Sequence, residues 1–573
     1  MTNKVLLFDH FSQGWLEFIN PVSVLSAQQT TDVLSVLQEA QKMTERGLWV
    51  AGFVTYEAAP AFDPALLTHE DTSGLPLIWF GVYEAPRPAA APAPIAETVP
   101  FSWQASLNAT AYQAGFEYIK QQIAAGHTYQ VNYTFRLRAP MADTPQALFA
   151  RAVHAQGGGY PVFVETDEWV IGSASPELFF SLDGGHLVSK PMKGTAPRGL
   201  RLEDDVAQAN WLKQSEKNRA ENVMIVDMVR NDMGRIARIG SVHVPKLFEV
   251  EKYRTVWQMT STVECQTDAS LSEIFVALFP AASITGAPKA RTMQIIRNVE
   301  NSPRRIYTGA LGYAAPNRRA QFNVAIRTFF FEKHTGQVEY GLGGGIVWDS
   351  EPRDELREAY NKAKILTAPP PRFELLETLL WTPQSGFTLL ERHLARMRDS
   401  ALYFGFPFDE HLIRRRLQAL AIDQANEAQR VRVLLNAQGE IRLEHTPLTP
   451  LPSPYRVRLA KQPISPNEPL LYHKTTHRAI YQSARQDDCD DTLLWNERGE
   501  LTESAIANVV VQKHDQLLTP PVECGLLPGT ARAEWLSQGK LREAVIRVEE
   551  LSGCDKIFLL NSVRGLWEIL LIK

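Results

Sequence analysis

The chain has 573 residues, 45% hydrophobic and 21% charged, with a formal net charge of −5. That length is too great for one core and predicts about three or four domains. The balance leaves no basic footprint for nucleic acid and no pull toward an anionic membrane surface, and no apolar run reaches the roughly 18 residues of a membrane-spanning helix.

The N-terminus, MTNKVLLFDHFSQGW, lacks the basic and apolar blocks of a signal peptide. The four cysteines, Cys265, Cys489, Cys524 and Cys554, are scattered and form no C-x-x-C pair. Structural zinc and a disulfide framework are therefore not expected, and a reducing cytoplasmic location is. Residues 1–84 read as strands around one amphipathic helix at Thr31–Arg46. The Pro/Ala-rich stretch 85–100 reads as an extended connection. From 101 to 366 a mixed pattern follows: a helix at Ala109–Ala125, strands at Tyr129–Leu137, Val162–Ile171 and Glu177–Leu182, helix through Gln208–Ile239, and a last helix at Pro352–Leu366. TAPPPR, 367–372, stops that helix and makes a stiff spacer, so the main boundary is placed there. Residues 373–573 begin again with a strand, helices at Leu389–Phe404 and Asp409–Ala421, and paired strands.

The segment KPMKGTAPRG holds Lys193 between a proline and several glycines, a shaped piece of backbone that is neither helix nor long strand. Alone, such a lysine reads as a solvated loop residue. Glu355 and Glu358 are three apart on one helix face, and Glu221 lies on another helix. If the faces meet, three carboxylates suit Mg²⁺, which takes oxygen ligands; otherwise they form a solvated acidic face. SITGAPK places Thr285 at a helix start, where free N–H groups hold anions. The glycine run Gly341–Gly345 alone reads as a turn or bulge.

Taken in order, ENVMIVDMVRNDMGR, SITGAPKARTMQII, RRIYTGALGY, FNVAIRTF and GGGIVWDSEPRDELREAYNKA resemble the chorismate-utilising enzymes over residues 105–366. GFVTYEAAPAFDP adds likeness to the aminodeoxychorismate branch. The resemblance implies that Lys193 attacks chorismate; anthranilate synthases have alanine there. It also implies that Glu177 is the general acid/base protonating the leaving hydroxyl. Glu221, Glu355 and Glu358 would serve Mg²⁺. Thr195, Thr285, Tyr307, Arg327, Gly344 and Lys362 would bind the substrate, arginine supplying bidentate geometry for a carboxylate. Gln258 stands where relatives commonly carry histidine. No cysteine sits in a glutaminase-like elbow, so a separate glutamine amidotransferase subunit, or free ammonium, is expected to supply ammonia.

In the second half, LLYHKTTHRAIYQSAR, GELTESAIAN and LLTPPVECGLLPGTAR, with FTLLERHLARMRDSALYFGF, resemble the fold type IV pyridoxal-phosphate enzymes. By resemblance Lys474 carries the cofactor and removes the α-proton, and Glu503 pairs with the pyridine nitrogen. Arg396, Gly529 and Thr530 would hold the phosphate. The expected fold is thus multidomain α+β and α/β: a two-layered β-sheet sandwich flanked by helices, then a two-subdomain fold type IV domain, often a homodimer. The expected function is bifunctional: amination of chorismate, then release of pyruvate to give 4-aminobenzoate. A synthase fused to an amino acid aminotransferase, or an anthranilate synthase-like activity, is the alternative.

Overall fold

A computed structural model describes residues 3–93, 101–367, 371–423 and 427–572. The chain forms two compact units, Met1–Pro197 with Ala209–Pro370, and Arg198–Gln208 with Pro371–Lys573. Parts of the Pro/Ala-rich connection (94–100) and of the TAPPPR spacer (368–370) lie outside the described residues.

Among the described residues, the first unit contains two ten-stranded sheets in which neighbours pair antiparallel. Strand alternation decides which way each side chain points. Val50 and Phe80 face helices, whereas Ala51, Phe53 and Trp79 face the other sheet, where they meet Val164, Ile171 and Phe330. Each such aromatic, fully buried, contributes about 1.5–3 kcal/mol. Helices Thr30–Glu45, Glu216–Gly234 and Leu271–Leu278 cover one outer face. Ala109–Ala124, Pro145–Gln156 and Pro352–Thr367 cover the other. This is the expected sandwich flanked by helices.

The helix starts follow from local chemistry. Asn108, Thr144 and Ser215 each accept a first-turn N–H on the side chain, and Pro145 occupies a position that needs no donor. Gly157, with φ of 72°, ends the helix Pro145–Gln156.

In the second unit, Leu375–Thr382, Gln429–Leu435 and Ile441–Pro447 form most of a four-stranded antiparallel sheet. Helices Leu390–Phe404 and Glu410–Asp423 pack on it through Leu394, Met397, Ile413 and Leu417. A nine-stranded mixed sheet builds the rest, with parallel pairing at Arg456–Leu459. This matches the expected two-part domain. No helix among the described residues is long and apolar enough to cross a membrane.

Candidate active sites

The segment holding Lys193 is a strand, Met192–Pro197, paired with Val256–Gln266. The sequence reading of a loop is corrected here: the pairing slips between Met192 and Thr195, so Lys193 and Gly194 form a bulge in an end strand. Gly194 has φ of 101°, which is why glycine follows the lysine. Two side-chain amides clamp the bulge. Asn222 donates to the Lys193 carbonyl at 3.1 Å and accepts from Ser261 Oγ at 2.6 Å. Gln258 donates to the Gly194 carbonyl at 2.9 Å and accepts from Thr195 Oγ1 at 3.1 Å. Gln258 therefore holds the bulge with a group that does not titrate.

Lys193 faces a cavity of about 510 Å³ that also presents Glu177, Thr195, Tyr307, Arg327 and Lys362. Glu221, Gly344, Glu355 and Glu358 line the same cavity, so the two acidic helices do meet. Thr285 is absent from its lining. It is fully buried, and its hydroxyl donates to the Ala281 carbonyl at 3.1 Å. Ser283, in the same motif, reaches the site instead and donates to Glu177 Oε1 at 2.6 Å.

Charge in the cavity is distributed unevenly. Lys193 Nζ lies 3.3 Å from Glu221 Oε2, and Lys362 Nζ 2.8 Å from Glu358 Oε1. Lys362 pulls the Glu358 carboxyl below its ordinary pKa, while burial pushes Glu355 up, opposed by its hydrogen bond from Ser350 at 2.6 Å. Glu177 is 3% exposed, and burial raises its pKa to about 7 despite Ser283. Arg327 is buried among Tyr340, Tyr253 and Tyr307, and its guanidinium donates to Gln156 Oε1. Among the described residues no carboxylate offsets its charge, which fits it to an anionic ligand. No three His, Cys, Asp or Glu side chains among the described residues converge into a ready metal cage.

The glycine run expected to turn is the interior of a strand, Gln337–Ile346, under the cavity. Its glycines leave room for side chains that cross it. A Cβ on Gly341 would sit 2.1 Å from the Tyr307 ring. One on Gly345 would sit 2.5 Å from Lys193 Nζ and 3.2 Å from the amide of Gln130. Gln130 is fully buried and its amide has no hydrogen-bond partner, yet the sequence reading passed over it. Its place in an alternating strand gave no signal.

In the second unit, Glu503 is buried and Lys474 is half-buried. Burial lowers the Lys474 amine to about 8, with Arg396 adding to the effect, and raises Glu503 to about 7. Arg396 donates through Nε and Nη2 to Glu377, at 2.9 and 2.7 Å, and through Nη1 to the Pro528 carbonyl at 3.0 Å. Burial alone would raise Glu377; Arg396 and His393 outweigh it and hold the carboxyl at about 2. Thr530 opens a helix, Thr530–Ser537, whose N-cap Gly529 supplies no side-chain cap, and Thr530 Oγ1 lies 3.2 Å from His393 Nε2. A Cβ on Gly529 would meet Asn508 Oδ1 at 1.9 Å, so a larger residue there would displace the Asn508 side chain. Glu377, which holds Arg396 and is itself bonded by His393, lies outside the quoted motifs; His393 lies within FTLLERHLARMRDSALYFGF but nothing in that pattern singles it out.

The family model for chorismate binding enzymes matches residues 3–368, and that for class IV amino-transferases matches residues 374–572. Aminodeoxychorismate synthase component 1 of Bacillus subtilis (strain 168) is 39% identical over 264 residues, 46% of this chain and 56% of the relative. An anthranilate synthase component 1 of Haloarcula marismortui is also 39% identical, over 43% of this chain and 49% of its own length. The chain thus spans about half the length of these curated relatives. The structure of anthranilate synthase component I from Streptococcus pneumoniae superposes with a TM-score of 0.53 at 24% identity, covering 64% of this chain and 90% of that one. The chain belongs to the chorismate binding enzyme family, and carries a class IV amino-transferase domain after it.

Proposed function

We propose that the first domain aminates chorismate to 4-amino-4-deoxychorismate and that the second releases pyruvate from that product to give 4-aminobenzoate. The observation that carries the first step is the placement of Lys193 and Glu177 on one cavity whose wall holds the uncompensated Arg327. Arg327 and Tyr307 bind a carboxylate of chorismate, with Thr195, Lys362 and the Gly344 backbone beside them. The Lys193 amine adds at carbon 2 while the carbon 4 hydroxyl leaves, as water, with a proton from Glu177. A carboxyl with pKa near 7 can hold that proton at neutral pH. Ammonia then adds at carbon 4 and expels the lysine, so one hard substitution becomes two easier ones. A separate glutaminase subunit supplies the ammonia.

The carboxylates of Glu221, Glu355 and Glu358 fit a hard dication such as Mg²⁺ in donor chemistry. When bound, the ion screens the ring carboxylate; Lys193 and Lys362 balance two of these glutamates without it.

The residues around Lys474 fit pyridoxal phosphate: a half-buried amine of lowered pKa, a buried carboxyl at Glu503, and an uncapped helix start beside Arg396. Bound there, the cofactor supplies an electron sink. Lys474 would hold it and move the α-proton, Glu503 would pair with the ring nitrogen, and Arg396 with the Gly529–Thr530 N–H groups would take the phosphate. Arg396 has its fork on Glu377, so it offers the phosphate only its remaining N–H groups.

Product analysis of Lys193→Ala and Lys474→Ala tests the assignment. The first variant should consume no chorismate by this route yet still cleave supplied 4-amino-4-deoxychorismate. The second should accumulate that compound. Formation of 4-aminobenzoate from chorismate by either variant at the wild-type rate would refute it.

A further inference from the structure

The cofactor reading gives Glu503 one partner, the pyridine nitrogen, but a carboxylate has two oxygens, and a buried one must be held still to serve. Tyr481 OH donates to Glu503 Oε1 at 2.7 Å. The other oxygen, Oε2, has a long contact of 3.4 Å from Asn508 Nδ2, whose better bond goes to the Leu527 carbonyl at 2.9 Å, and the Leu527 backbone N–H also bears on the carboxyl. The two oxygens are therefore unequal: Oε1 takes the short bond from the tyrosine and Oε2 the long one from Asn508.

Tyr481 is itself braced. The Arg478 guanidinium lies over its ring, 3.7 Å from the centroid, and donates to the Ala505 carbonyl two residues past Glu503. Tyr481 sits in the short helix Ala479–Ala484, and Arg478 immediately precedes it, three residues upstream of the tyrosine. A guanidinium on the face of a phenol holds the ring by cation–π attraction and strengthens its hydroxyl as a donor. The segment that begins at Lys474 thus continues, within seven residues, into the group that holds the opposing carboxyl.

We propose that Tyr481 is a positioning residue for the cofactor: its hydroxyl, backed by Arg478, fixes Oε1 of Glu503 so that Oε2 meets the ring nitrogen of pyridoxal phosphate. This rests on the pyridoxal-phosphate reading of the second domain. A hydrogen bond to the charged form of a carboxyl also favours that form, so the brace keeps Glu503 able to pair with a protonated ring nitrogen.

The test uses the full chain, stripped of cofactor and titrated with pyridoxal phosphate, as wild type, Tyr481→Phe, Glu503→Gln and the double variant. Dissociation constant and visible absorption band are read for each, with melting temperature as the fold control. Tyr481→Phe should weaken cofactor binding about tenfold, as expected for losing a hydrogen bond to a charged group, and should move the absorption band. In the Glu503→Gln background the same change should have little further effect, because it acts through that carboxyl. Arg478→Met, which leaves the hydroxyl in place, should weaken binding less, by about threefold, and carries the test if Tyr481→Phe does not fold. An unchanged constant and band in the folded tyrosine variant, or an undiminished penalty in the Glu503→Gln background, would overturn the proposal. Wild type that takes up no pyridoxal phosphate would instead overturn the cofactor reading beneath it.

Discussion

The two lysines around which the chain is built are prepared in opposite ways. Lys193 stands in a broad polar cavity, 3.3 Å from the Glu221 carboxylate, on a backbone bulge that two amides clamp. Lys474 is half-buried, feels Glu377 and Glu503 only at longer range, and loses proton affinity chiefly to desolvation. The contrast follows the chemistry proposed for each. A lysine that attacks a dianionic substrate and is then expelled needs a wet, charged cavity that tolerates two changes of partner. A lysine that holds a cofactor and shuttles one proton gains from a dry site in which its amine is readily neutral.

The first way to sharpen the comparison is to remove the acid that has no counterpart in the second domain. Glu177→Gln should lower chorismate turnover by about 10²–10⁴-fold, the ordinary contribution of a positioned acid, with lyase turnover unchanged. In wild type the acid form is required, so turnover should be present below pH 7 and fall as pH rises through about 7. A flat pH profile across that range breaks the assignment.

Next in size is the loss of anion recognition. Arg327→Met should raise KM for chorismate by about 10–100-fold, since a charge-assisted hydrogen bond goes. Steady-state kinetics with saturating ammonium check it, and an effect on kcat alone would place Arg327 elsewhere in the reaction.

A smaller effect tests the crowding under Lys193. Gly345→Ala places a methyl 2.5 Å from Nζ, the far end of a flexible side chain, so the lysine should shift while the fold stays intact. Chorismate turnover should fall about tenfold or more with melting temperature nearly unchanged, because misplacing a reacting group by an ångström is costly. Wild-type turnover in this variant would show that the lysine works from another position.

The smallest change is a pH midpoint. Uptake of pyridoxal phosphate by the stripped protein needs the neutral Lys474 amine. Its rate should rise with pH to a midpoint near 8, well below the value of an exposed lysine. A stopped-flow absorbance series measures this, and a midpoint near 10.5 would contradict the buried setting.

Much of this was legible in the sequence, and the parts that were not share a cause. The helices at Ala109–Ala125 and Pro352–Leu366 declare themselves through local periodicity, as do the carboxylates Glu355 and Glu358 on one face, whereas the helix Pro145–Gln156 and the break at Ser215 inside 208–239 were not read from the sequence. The Lys193 and Lys474 segments stand out through ordered motifs. By contrast, Gly341–Gly345 is a strand through its pairing with Asn132–Arg136, and its glycines answer to Tyr307 and Lys193, which cross it from distant segments. In SITGAPK the Thr285 hydroxyl turns back to the Ala281 carbonyl while Ser283 reaches Glu177, a difference that the order of residues does not announce. The clamp by Gln258 spans 64 residues to Gly194, and no local pattern encodes a pairing at that separation.

The most direct measurement of the central claim is product identification from wild type supplied with chorismate, ¹⁵N-ammonium, Mg²⁺ and pyridoxal phosphate. The account predicts 4-aminobenzoate carrying the label, with pyruvate in equal amount. Labelled 2-aminobenzoate, or chorismate left unconsumed, would contradict it.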